Sequence, residues 1–426
     1  MKAPPTSARW IVLAALCAAA TIAYVGRTCL GLVQQPIREE LGIKLVPMGW
    51  VMGMFFWSYA FAQIPAAWLS HVWGSRAALA FYAAAWSLAC AAMGLANGFW
   101  ALIIAQLCFG TAQAGLFPCA GAIIAKWASI SRRAVSSGLL GGFQSVGGAL
   151  GSAMTGALLA GVLFDYEFPA MHWRWIYALY ALPGLVWAAW FFYWFRDQAV
   201  DHGGVNEAEL ALLPHEEEES ASTHSPAWWR IALRFDLWMI YGQQFMRAAG
   251  YIFFATWFPE FLQQTRGVTL EEAGLLTALP LLAVVVGAPT GGVIVDFLWN
   301  RTHSRRLSRQ VVAVAAMSAC AGCIALAYFV DDAMLAVLVI AAGAFCAALG
   351  GPAGYTVTID KSGPAVAPIF GAMNMFGNLG AAICPVVVAW IAQTTGDWNV
   401  VLIFFALIYV GAAVFWMLLN PEIDHE

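Results

Sequence analysis

The sequence predicts an all-α integral membrane protein with twelve transmembrane helices in two pseudo-symmetric six-helix halves. Three observations carry this reading. Apolar residues make up 62% of the 426, with a mean hydropathy of +0.74, whereas a soluble domain sits at about 45–50%. Those residues fall in long runs, and a helix needs about 20 of them to cross the hydrocarbon core. A related loop pattern also recurs in both halves, 225 residues apart, with His71 corresponding to Asp296.

Taken in order, the runs place spans at 10–33, 48–70, 76–96, 99–126, 134–163, 173–195, 235–262, 271–299, 308–330, 333–358, 367–393 and 398–419. The start, with Lys2 and Arg9 before an apolar run, has the look of a signal peptide. That run is too long for one, and many spans follow, so it reads as a retained first span. Of the 20 Lys and Arg, fourteen fall on the side of the termini and four (Arg38, Lys44, Arg174, Arg266) on the other. Basic loops stay inside, so both termini are expected in the cytoplasm of a bacterial-type inner or plasma membrane. Acids such as Asp165, Glu271 and Asp331 fall on the outer side.

The stretch 196–232 has a different composition. It carries His215–Glu219 (HEEEE) and then Ser, Thr and Pro, which cannot bury a core. It reads as a cytoplasmic linker between an N-terminal half at 1–195 and a C-terminal half at 233–426. The nine cysteines are scattered. Cys320 and Cys323 form a CxxC inside a span, where the spacing places two small residues on one helix face. No His or second Cys pair stands near it, so no metal or cofactor is expected.

The remaining two basic residues, Arg27 and Arg247, lie inside spans. An arginine deep in a crossing helix costs roughly 2.5–3.5 kcal/mol on the insertion scale. A chain with 10% charged residues that tolerates this points to a cation lining a polar cavity. A planar guanidinium suits two-point capture of a carboxylate; snorkelling to the interface is the alternative for Arg27, and a helix-end partner the one for Arg247. Tyr24, one turn from Arg27, can bond the same ligand. Asn374 and Asn378 share one face of span eleven. The loop pairs His71 with Arg76 and Asp296 with Arg301 stand at equivalent places in the two halves and read as gating positions.

Several stretches resemble the anion:cation symporter family of the major facilitator superfamily, including its animal branch of sialin and vesicular glutamate transporters. These are Gly110–Arg133 (GTAQAGLFPCAGAIIAKWASISRR), Phe195–Leu210 (FRDQAVDHGGVNEAEL), Phe253–Gly274 (FFATWFPEFLQQTRGVTLEEAG) and Ile359–Pro385 (IDKSGPAVAPIFGAMNMFGNLGAAICP). The resemblance implies the major facilitator fold and transport of organic anions such as sugar acids. It implies that Arg27 pairs with the substrate carboxylate and that Arg247 is a second-half counterpart. Tyr59 and Gln144 fall where relatives contact substrate; for these and the two asparagines, interhelical hydrogen bonding is an equal alternative.

The departures from the family are informative. The acid that precedes the first-span arginine in proton-coupled relatives is Gly26 here, and the span-four glutamate is Gln113, counted among the substrate-lining residues. An arginine present in several relatives is Gln106, and the first-half loop acid is His71. Neither Gly26 nor Gln113 can take a proton near neutral pH. The expectation is a secondary transporter of a sugar acid or other mono- or dicarboxylate by alternating access, without those proton-coupling acids. Anion exchange or charge-driven transport would then replace the usual route, or coupling would move elsewhere, for example to Asp360. An organophosphate or phosphate exchanger and a non-transporting anion sensor are the alternatives. An enzyme is not expected, since no P-loop, zinc spacing or triad-like grouping is present. The partners expected are a small organic anion, a coupling ion or counter-anion and the lipid bilayer, with no nucleic acid, around a monomer.

Overall fold

A computed structural model describes residues 4–129, 132–163, 166–213, 232–362 and 366–422. The acidic run 215–219, Asp165, Lys2 and Arg230 lie outside the described residues. Ten helices are long and apolar enough to cross a membrane: α1 Ala8–Leu41, α2 Leu45–Trp73, α3 Ser75–Leu95, α4 Phe99–Trp127, α6 Trp173–Trp194, α8 Leu270–Thr302, α9 Arg306–Ala327, α10 Ala333–Ser362, the part of α11 at Ile369–Thr395, and α12 Asn399–Leu418. The two further spans are α5, Arg133–Ala160, and α7, which comes in two pieces, Phe235–Ala255 and Phe258–Arg266. Both are less apolar for a visible reason. Glycine and serine crowd α5, whereas α7 carries Asp236, Gln243, Gln244 and Arg247.

Three spans break where the sequence demands it. In α4 a turn falls at Ala114 and Gly115, where Gly115 is pressed against the Tyr82 ring, leaving no room for a Cβ. In α7 the backbone at Thr256 leaves helical geometry (φ −121°, ψ −77°), just before Pro259, which opens the second piece and is tolerated in a first turn. In α10 the break falls at Gly350. The start of α8 is fixed by a capping box, Thr269 with Glu272.

Within the first half α1 packs on α5, α2 on α4 and α3 on α6; within the second, α7 packs on α11 and α12, and α8 on α10. The halves meet chiefly through α2 with α11 and α5 with α8. Helices with no hydrophobic drive between them approach through small residues. Gly156 lies against Gly274 and the Leu270 carbonyl, and Gly31 against the carbonyls of Ala255 and Thr256. These contacts sit toward the face opposite the termini. Toward the terminal face, Gly138, Gly141 and Gly142 of α5 have no described atom within 4 Å of a would-be Cβ. The close glycine contacts hold the halves together at the far face, while the Gln63–Asn374 hydrogen bond joins α2 to α11.

Candidate functional site

Arg27 is held without a carboxylate. Its Nη1 donates to the Tyr24 hydroxyl at 2.9 Å, and that hydroxyl also accepts from Gln144 Nε2 at 2.9 Å. Around the guanidinium stand four rings, with Cζ 4.5 Å from the centre of Phe55, 4.6 Å from Phe56, 4.8 Å from Tyr24 and 5.5 Å from Tyr59. A desolvated cation–π contact contributes about 2 kcal/mol, so these rings offset much of the cost of placing the cation here. They do so without neutralising it. Among the described residues no ion pair joins Arg27 or Arg247 to an acid.

The pocket beside Arg27 is lined by Phe55 and Phe56 of α2, Gln106 of α4, and Ile252 and Thr256 of α7. Gln106 is 4% exposed, and its Oε1 has no hydrogen-bond partner. A buried amide oxygen without a donor costs about 1–3 kcal/mol, which a ligand hydroxyl would recover.

Arg247 donates to Gln244 Oε1 through Nη2 at 3.0 Å and Nε at 3.3 Å. One turn on, Tyr251 contacts the Ser145 side chain of the other half. Tyr251 thus joins the Arg247 helix to α5 of the first half, and sequence reasoning missed it. Its position four residues after Arg247, on the same helix face, was the available signal. Phe55 and Phe56 were also missed, as aromatic residues in a crossing helix read equally as lipid-facing.

The other expected residues also make contacts within the protein. The Gln113 amide donates to the Ala23 carbonyl of α1 at 2.8 Å and is 2% exposed, so its donor fastens α4 to α1. Tyr59 is buried and contacts Gln63, whose Oε1 accepts from Asn374 Nδ2 at 2.8 Å. Asn378 folds back onto its own helix, donating to the Asn374 carbonyl at 2.9 Å. Gly26 faces Cys90 Sγ and Phe109 Cζ, each 3.4 Å from a would-be Cβ.

At the terminal face, His71 is exposed. Asp197, after α6, accepts from the Arg76 backbone N at 2.9 Å and so caps the start of α3. The Arg76 side chain bonds the Phe192 carbonyl at 2.7 Å. Asp296 and Arg301 are exposed on α8. Asp360 is paired with Arg305 and Arg309, which leaves it a structural anchor rather than a free acid beside Arg27.

A broken-helix bundle of two halves, closed at one face around an uncompensated cation, defines a membrane carrier. The model of the Major Facilitator Superfamily matches residues 16–296 and 240–426; the chain belongs to that superfamily of secondary transporters. It is 27% identical to the probable sulfoacetate transporter SauU of Cupriavidus necator, over 97% of this chain and 94% of that one. It is 28% identical to the probable galactarate/D-glucarate transporter GudP of Bacillus subtilis, over 97% and 92%. It is 27% identical to a D-galactonate transporter of Escherichia coli, over 98% and 97%. Its fold is similar to the crystal structure of a bacterial homolog of the human lysosomal transporter Spinster in an inward-facing, unoccupied conformation, with a TM-score of 0.76, 21% identity and 96% coverage of both chains.

Proposed function

We propose that this transporter carries small hydroxylated organic anions of the sugar-acid type by alternating access, with Arg27 taking the carboxylate. The observation that carries this is Arg27 itself: a guanidinium bonded to the Tyr24 hydroxyl and surrounded by four rings, that of Tyr24 among them, with no acid paired to it among the described residues. The orphaned Gln106 oxygen in the same pocket suits a substrate hydroxyl. Two of the relatives named above are named for sugar acids, and the third for another small organic anion, sulfoacetate. Tyr24 and Gln144 orient the arginine, Tyr251 and Arg247 extend the site into the second half, and Gln63 with Asn374 forms part of its floor.

Coupling follows from charge. Gly26 and Gln113 stand in place of titratable acids, Asp360 is ion-paired, and no acid among the described residues pairs with Arg27. The loaded carrier reorients with its charge reduced, and exchange of one anion for another is the favoured cycle. The terminal face is read as cytoplasmic from its basic loops, the halves as 1–195 and 233–426 around a linker at 196–232, and the working unit as a monomer in the inner membrane. Uptake of a sugar acid into proteoliposomes at fixed voltage, with and without a pH gradient and internal anion, tests the cycle. Stimulation by internal anion is expected; accumulation driven by the pH gradient alone contradicts it.

A further inference from the structure

One turn beyond Thr256, which lines the Arg27 pocket, stands a carboxylate that the transport reading does not use. Glu260, on the second piece of α7, is 4% exposed. From α1, Gln34 Nε2 donates to its Oε2 at 2.7 Å, and Arg38 Nη1 approaches its Oε1 at 3.5 Å. Arg38 also donates to Gln34 Oε1 at 3.2 Å, and Gln264 donates to Glu260 Oε1 at 3.2 Å. Both carboxylate oxygens are therefore engaged, and two of the three partners belong to the other half. A buried charge stripped of its partners is strongly unfavourable, so this arrangement favours α1 and α7 staying together.

The register makes the contact part of the site. Arg27, Gly31, Gln34 and Arg38 recur at steps of four, three and four, which puts them on one face of α1. Opposite Gly31 lies the break in α7, whose Ala255 and Thr256 carbonyls would be 2.8 and 2.9 Å from a Cβ there. One stripe of α1 thus carries the anion-binding guanidinium, then a bare helix surface pressed on the break, then the partners of Glu260.

We propose that Glu260 is the latch of the outer gate, a positioning residue that holds α1 against α7 and bars the Arg27 pocket from the face opposite the termini. The proposal rests on that pocket being the transport site, but its test needs no substrate. When the halves rock to open the far face, the latch parts, and removing it raises the resting share of the open state. Full-length protein carrying Thr256→Cys as reporter is placed in liposomes and exposed, from the far face, to a membrane-impermeant maleimide. Slow labelling is expected with the latch intact and labelling roughly tenfold faster after Glu260→Gln, within the usual span of coupling between sites. The paired exchange Arg38→Glu with Glu260→Arg should return the rate toward that of the reporter alone. Unchanged labelling in a Glu260→Gln protein with a normal melting curve overturns the latch. So does faster labelling that the exchange fails to reverse, because loosened packing then explains it. Should Glu260→Gln not fold, Arg38→Gln removes the same pairing from its exposed side and is read in the same way.

Discussion

The Tyr24 hydroxyl accepts from Arg27 at 2.9 Å and from Gln144 at 2.9 Å, so one phenol joins the first-span arginine to the fifth span. A hydrogen bond to a charged group contributes about 1.5–3 kcal/mol. Tyr24→Phe keeps the ring under the guanidinium and removes only that anchor. The expected outcome in proteoliposome uptake is a KM raised about tenfold or more, with the melting temperature nearly unchanged; an unaltered KM would show that the anchor does not position Arg27.

Gln106→Leu separates stability from function. The substitution replaces a buried amide whose oxygen lacks a donor with an apolar group of similar size, which is neutral or stabilising. The melting temperature should hold or rise, while the KM for a hydroxylated acid increases relative to that for its deoxy analogue. Equal effects on both substrates would remove Gln106 from the ligand.

Restoring an acid at position 26 should not by itself restore proton coupling. Gly26 faces Cys90 and Phe109, so the carboxyl of Gly26→Asp would be buried among groups that cannot satisfy it, at a cost of at least about 1–3 kcal/mol. A lower melting temperature and uptake still insensitive to a pH gradient are expected. Uptake that becomes pH-driven would contradict this placement.

The segment that follows α6 has its own pH dependence. His202 is buried at the edges of the Trp127 and Trp194 rings, with Nδ1 accepting from the Gly204 N–H at 3.1 Å. Burial, with Arg196 nearby, lowers its pKa below the ordinary 6.5. The folded state thus prefers the neutral ring. Its stabilisation is fully present above 6.5 and is lost as the pH falls from there toward the depressed folded value. Limited proteolysis within 196–213 should accelerate below that pH in the wild type, and the acceleration should be absent in His202→Gln.

Much of the fold was legible because membrane helices announce themselves by length and apolarity, and Arg27 because a lone cation in such a helix has few bland explanations. Tyr24 followed from helical spacing. The rest depended on where neighbouring helices stand. Gln113 turns to the Ala23 carbonyl, a partner 90 residues away. The start of α3, just past His71, is capped by Asp197, 121 residues from the Arg76 amide it binds. Glu260 and Gln34 are 226 residues apart, and neither has a local signature. Only the fold makes such pairs neighbours, and each is a contact between helices whose order in sequence says nothing of their register.

The most direct test of the account is counterflow of a labelled sugar acid into proteoliposomes preloaded with the unlabelled acid, comparing wild type with Arg27→Ala and Arg27→Lys. Wild type should show a transient overshoot. Both variants should show none while remaining folded, the lysine because a point charge cannot reproduce the planar fork. Overshoot at wild-type level in Arg27→Ala would contradict the assignment of the anion to this arginine.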